Sequence, residues 1–258
     1  MRSCALLLAA LLALAPAAPA VAGPVAVRFP EGIVHGFLVL RPARGGESLA
    51  HGEFTQTVRG DHLESALVFR FVDGSLYDET ATFTQRKVFR LMAYKLVQRG
   101  PSFPKTSEVA FDRGSGRYRA RAGNDTADGK LEMPEDLHNG LTGILLKNLP
   151  AGAAGSGHIV AFTPKPLLVN TTLRKEGEDR FLLGDAPRTA TRYLVHLDVP
   201  GLKGVAASLM GKDPPDLRYW VATGPVPAFL KFEGEMYLKG PRWVVELAAP
   251  RWPAAPSR

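Results

Sequence analysis

The chain has 258 residues, 45% of them hydrophobic and 22% charged, with a net charge of +7, 26 Gly, 21 Pro and a single Cys. That hydrophobic content excludes an unfolded chain, the lack of a glycine period excludes collagen, and one Cys excludes a disulfide framework. The length suits one large β domain, and the Gly and Pro content suits a turn-rich one.

The first element in chain order is an address. Arg2 supplies a positive start, residues 5–15 an apolar run, and Ala20-Val21-Ala22 a series of small residues before Gly23. This pattern predicts a secretory leader over residues 1–22, cleaved after Ala22, with 23–258 as a single β-rich domain. The apolar run is too short for a hydrocarbon core roughly 30 Å thick, and Pro16 and Pro19 would break a helix there. Cys4 precedes the apolar run, whereas a lipid-attachment cysteine follows it, so no lipid anchor is expected. With the leader gone the mature chain has no thiol, which excludes disulfides, a cysteine nucleophile and cysteine-ligated zinc. The mature chain stays basic, a balance that suits anionic membrane surfaces. Its basic residues are scattered, and without a binding motif no nucleic-acid partner is expected.

Strands are predicted over 25–29, 33–40, 50–58, 62–72, 77–85 and 88–98, then 108–112, 117–122, 158–164 and 167–175. The last group covers 188–199, 217–223, 228–233 and 242–248. They are rich in β-branched and aromatic residues and bounded by Gly, Pro and Asp, and their short spacing predicts antiparallel hairpins.

One hairpin is legible in register. With Gly60-Asp61 as a two-residue loop, Arg59 faces His62, Val58 faces Leu63 and Phe54 faces Leu67. One face then collects Phe54, Val58, Leu63, Leu67, Phe69 and Phe71, and the other His51, Glu53, Thr55, Thr57, Arg59, His62, Glu64 and Arg70. For the next turn, a three-residue loop Asp73-Gly74-Ser75 is expected, placing Phe71 by Tyr77 and Leu67 by Ala81. In the hairpin the pairs His51/Glu53 and His62/Glu64 fall at opposite ends, on the order of 25 Å apart at the usual strand rise, so they share no metal ion. Arg59-Gly60-Asp61 is a turn rather than an adhesion tripeptide.

The helix signal begins at Met133-Pro134-Glu135-Asp136. Proline suits a first helical position and acidic residues suit the positive helix end. Leu137, Leu141, Ile144 and Leu145 form one stripe, Lys147 lies in the last turn, and Pro150 to Gly152 stop it, which predicts a helix over 135–147. Gly140 and Gly143 permit a close approach to the sheet, and His138 and Asn139 are expected on the surface or at a cavity mouth.

Catalytic, metal and cofactor signatures are lacking. Residues 204–212 have the wrong spacing for a phosphate loop, with Asp213 where Ser or Thr is needed. Gly155-Ser156-Gly157 lacks the outer glycines of a nucleophile elbow. The six His residues show no ligand spacing.

The stretch ending at Pro101, HGEFTQTVRGDHLESALVFRFVDGSLYDETATFTQRKVFRLMAYKLVQRGP, resembles an uncharacterised family of exported bacterial proteins. The later RTATRYLVHLDV and LRYWVATGPVPAFLKFEG are similar to the closing strands of periplasmic domains of unknown function. The resemblance implies a curved antiparallel sheet wrapped around a helix, similar to the half-barrels that carry lipoproteins and lipids through the periplasm. It carries over no functional residue.

The expected fold is therefore mainly β, a single curved antiparallel sheet (half-barrel or open barrel) with one helix on its concave side. A partly filled barrel of this kind holds an apolar ligand. Phe69, Phe71, Phe89, Tyr193, Trp220 and Phe229 are the candidate lining, although ordinary core is the commoner role for each such residue. The loop 201–216 is a candidate apolar lid or a plain surface connection. Three functions follow. The first is a periplasmic or secreted binder or carrier of a lipid or other apolar molecule, without catalysis. The second is a hydrolase or isomerase whose site forms on folding. The third, an outer-membrane β-barrel, is disfavoured because strands 77–85 and 117–122 lack an apolar residue at every second place.

Overall fold

A computed structural model describes residues 20–21, 23–162, 165–199 and 214–248. Fifteen strands join in one sheet. In chain order they are β1 (Ala20–Val21), β2 (Val34–Pro42), β3 (Ala50–Arg59), β4 (His62–Phe71), β5 (Leu76–Gln85), β6 (Phe89–Arg99), β7 (Ser107–Asp112), β8 (Arg117–Ala122) and β9 (Asp125–Lys130). The helix α1 (Thr142–Asn148) follows, then β10 (Ala154–Phe162), β11 (Pro166–Leu183), β12 (Ala186–Asp198), β13 (Leu217–Ala222), β14 (Ala228–Glu235) and β15 (Arg242–Leu247). Two antiparallel meanders, β2 to β9 and β10 to β15, are joined where β15 pairs with β2. β1 adds a short parallel pairing to β10.

The sheet is open between β9 and β10, and side chains rather than backbone span the gap. Phe162 of β10 stacks on Phe111 of β7, with ring centres 6.1 Å apart, and lies 5.9 Å from Tyr118 of β8. Both edges are guarded against pairing with another chain. β9 carries Asp125, Asp128 and Lys130 and no large apolar residue, a common protection for an edge strand. On β10, the backbone of His158 bonds to Asp136 and His138, and the Asn139 side-chain amide both donates to the Val160 carbonyl and accepts from its N–H.

The segment between β9 and β10 fills the concave side. Leu141, Ile144, Leu145, Leu146 and Leu149 pack with Leu63, Phe83, Leu91, Phe111, Leu173 and Val221 in the main core. Arg113 pins the start of this crossing by donating to the carbonyls of Leu91, Met133 and Pro134. Lys147 reaches Glu31 at 2.5 Å, and the Gln56 amide also donates to that carboxylate.

The hairpin of β3 and β4 has the expected register, including Arg59 opposite His62 and Phe54 opposite Leu67. The next turn is corrected. Phe69, not Phe71, lies opposite Tyr77, and Leu67 lies opposite Glu79. The loop is Val72-Asp73-Gly74, because the Phe71 N–H donates to the Ser75 carbonyl across it. The slip is two residues, so every side chain keeps its expected face.

The helix is also corrected, to seven residues. The Asp136 carbonyl and the His138 N–H are spent on His158 of β10, which takes two groups that a helical ladder would need here. Gly140 then turns the chain at φ +70°, lying so close to β5 that a Cβ would come within 2.9 Å of Ala81 Cβ. His138 is buried rather than on the surface, with its Nδ1 2.9 Å from Thr142 Oγ1 and its Nε2 2.7 Å from Thr171 Oγ1. The expected strand over 25–29 is reduced to a bridge from Ala26 to Val88. The N–H groups of Arg28 and Phe29 instead donate to the buried Asn148 side chain.

Candidate functional site

The concave face carries a row of partly exposed residues between two buried ones, called the furrow below, that follows from register alone. Cross-strand pairing aligns Gly36, Phe54, Leu67, Glu79 and Leu96 in one row over β2 to β6. Every residue of that row is partly exposed. On one side runs a fully buried row of Leu38, Gly52, Phe69, Tyr77 and Gln98; on the other, Gln56, Ser65, Ala81 and Tyr94 are equally buried. The first buried row belongs to a core that includes Phe71, Phe103 and Trp243, and the second is covered by the crossing segment and α1. The row between the two cores is left half-covered. It spans four strand spacings, about 19 Å.

Glu79 is the one ionisable group in this row. Tyr94 donates to its Oε1 at 2.7 Å, and Tyr77 also hydrogen-bonds it. Crowding by apolar neighbours raises its pKa above the usual carboxylate value, and the two phenols hold it down in part. The Tyr94 and Tyr77 phenols are themselves pushed far up, first by burial and then by the Glu79 charge. Tyr219 reaches the same region from β13, far round the sheet. Burial pushes its phenol well up, while a hydrogen bond with Thr142 at the start of α1 opposes the shift. Around this carboxyl the arrangement sets partly exposed apolar side chains on both flanks of one polar anchor, the composition of a small-molecule site.

The six expected lining residues are distributed over three cores. Phe69 and Phe71 are fully buried in the core around Trp243, with Phe229 partly buried against it. Phe89 is buried in the core around α1, with Tyr193 packed on that core. Trp220 is buried in the third core, with Phe181, Ala190 and Leu230. It shares its strand face with Lys231, 4.7 Å above its ring, and its indole N–H donates to Asp179, whereas its neighbour Tyr219 points to the interior. Adjacent strand residues face opposite ways, so Trp220 does not line the furrow. Of the six, Phe69 and Phe229 come near the furrow's tyrosines, Phe69 at 6.2 Å from the Tyr77 ring and Phe229 at 6.5 Å from the Tyr219 ring. The expected lid over 201–216 lies outside the described residues except for its last three. Sequence reading missed Glu79 and its tyrosines. The available signal was the alternation Tyr77, Glu79, Ala81, Phe83, which sets one acid on an otherwise apolar face.

Two other features lie away from the furrow. A concavity of about 380 Å³ lies on the opposite, convex face, floored by Thr82, Ala93 and Ala110 and rimmed by Lys95, Arg119 and Asp112. His158 Nδ1 lies 2.6 Å from Asp136 Oδ1, a half-buried pair beside Ser156 at the β10 edge. Among the described residues no group of three or more His, Cys, Asp or Glu is placed to hold a metal ion, and no helix is long and apolar enough to cross a membrane.

No protein-family model matches the chain, and no curated protein matches it. One similar solved structure is described as the crystal structure of a beta-barrel-like protein of a domain of unknown function, DUF1849, from Brucella abortus. It is 10% identical, with a TM-score of 0.45, over 86% of this chain and 97% of that one. The class the strand order defines is an open, barrel-like antiparallel sheet folded round a helix.

Proposed function

We propose that the protein is an exported binder or carrier of a lipid or other apolar molecule, acting in the periplasm or outside the cell and holding its ligand along the furrow. One observation carries this reading: a half-covered, mostly apolar row between two fully buried rows, where a filled core would have closed. The leader pattern and basic mature chain support export and contact with anionic headgroups. Native mass spectrometry of protein purified from its own compartment, followed by titration with an alkyl probe, tests the reading. Co-purified lipid and saturable uptake of the probe are expected. Apo mass alone, with no saturable uptake, would overturn it.

A catalytic reading is favoured by one observation, the His158–Asp136 pair. A carboxylate on Nδ1 orients an imidazole for base work. Among the described residues, however, no hydroxyl is hydrogen-bonded to His158, and both residues are already tied to each other through the backbone as part of the β10 edge. Turnover of a small ester that disappears in His158→Gln would support this reading over the carrier.

A further inference from the structure

Glu79 is unusual for what does not accompany it. Among the described residues most buried or half-buried carboxylates face a cation: Glu31 has Lys147, Glu176 has Arg192 and Arg218, and Glu246 has Lys231. Among the described residues Glu79 has no Lys, Arg or His partner; its partners are phenols. A carboxylate held in a crowded, apolar setting without a countercharge is costly unless something supplies one.

The surroundings indicate what that something is. Tyr77 and Tyr94 flank the carboxyl from the two neighbouring rows, and the Glu79 charge acts on the Tyr219 phenol from the far wall. Their oxygens satisfy part of the carboxylate, and their ring faces carry the negative potential that attracts cations. Leu67 and Leu96 lie directly across the strand on either side of Glu79, with Phe54 next along the row. A head group placed at Glu79 therefore has apolar surface on both flanks for an alkyl chain. A carboxylate or phosphate head there would meet like charge, with no cation among the described residues paired to Glu79 to offset it.

We infer that the furrow takes an amphiphile whose polar head is an ammonium group, seated on Glu79 among Tyr77, Tyr94 and Tyr219, with its alkyl chain along the Phe54–Leu67–Leu96 row. The inference rests on the reading of the furrow as an apolar-ligand site and adds the class of head group.

The test compares dodecylamine, dodecanol and dodecanoate by calorimetric titration of the full chain at neutral pH, each below its aggregation concentration. The amine is expected to bind about tenfold or more tighter than the alcohol, a ratio within reach of one cation–π and charge contact. The carboxylate is expected to bind weakest. In Glu79→Gln the amine-to-alcohol ratio should fall to near one. Equal binding of all three, or preference for the carboxylate, would overturn the head-group inference while leaving the furrow as an apolar site. Failure of all three to bind would overturn the furrow reading as well. Should Glu79→Gln fail to fold, the wild-type ranking still decides.

Discussion

At the scale of single residues, Gly52 shows how closely the concave face is packed. It lies opposite Phe69 across β3 and β4, and a Cβ on it would come within 2.3 Å of Phe69 Cε1. Phe69 has no exposed surface and cannot step aside. Gly52→Ala is therefore expected to lower stability by about 1–3 kcal/mol, the range for overpacking a core. Gly36→Ala, whose Cβ would meet Leu247 at an ordinary 3.4 Å, should be near neutral. Urea denaturation of the two variants decides, and equal losses would contradict the packing described. His138 makes a second prediction. Burial holds its pKa down from 6.5 to about 4, so the unfolded chain binds a proton that the folded chain refuses. The stability this site contributes is present above pH 6.5 and is lost as pH falls towards 4. Relative to His138→Gln, the wild type should lose about 3 kcal/mol across that window. Glu79 acts in the opposite sense, since its raised pKa favours the folded state at low pH. The comparison with the variant isolates His138. A difference that does not change with pH would mean that the imidazole is not buried in its neutral form.

At the scale of elements, the β3–β4 hairpin was readable because its two faces differ sharply in polarity, and a one-residue slip would mix them. Leu63→Ala, at a position 1% exposed, should cost about 2–5 kcal/mol, while Thr57→Ala on the solvent face should cost little; chemical denaturation checks both. The following turn was misread by two residues, and alternation has no power against a two-residue slip, because Tyr77, Glu79 and Ala81 keep the same face in either register. The turn decides there, through the Phe71 to Ser75 hydrogen bond. The helix start was misread for a different reason. Pro134, Glu135 and Asp136 are sound local signals, but tertiary pairing of Asp136 and His138 with β10 took two backbone groups a helix needs. β9 and the far half of β11, residues 176–183, went unseen because their charged and small residues carry no strand pattern. Asn139 belongs to this scale too, since its amide acts as a surrogate strand for Val160. Asn139→Ala leaves that N–H and carbonyl unpaired and is expected to cost about 1–3 kcal/mol. It should also speed amide exchange at Val160 and its neighbours. Unchanged protection there would contradict the edge arrangement.

At the scale of the whole molecule, two meanders meet at β15 and β2, the crossing segment seals one part of the concave side, and the core around Trp243 seals another. The furrow is what this closure leaves. Glu79 could be assigned to the inner face from period-two alternation, but its convergence with Tyr94 depends on the β5–β6 register, and that with Tyr219 on the curvature of the sheet. Neither is encoded locally. Occupancy of the furrow is the central claim, and photo-crosslinking with an alkyl diazirine probe, followed by peptide mapping, addresses it most directly. The account predicts labels concentrated on Phe54, Leu67 and Leu96, competed away by unlabelled dodecylamine. Labels confined to the convex-face concavity around Lys95, Ala110 and Arg119, with the furrow residues untouched, would contradict it.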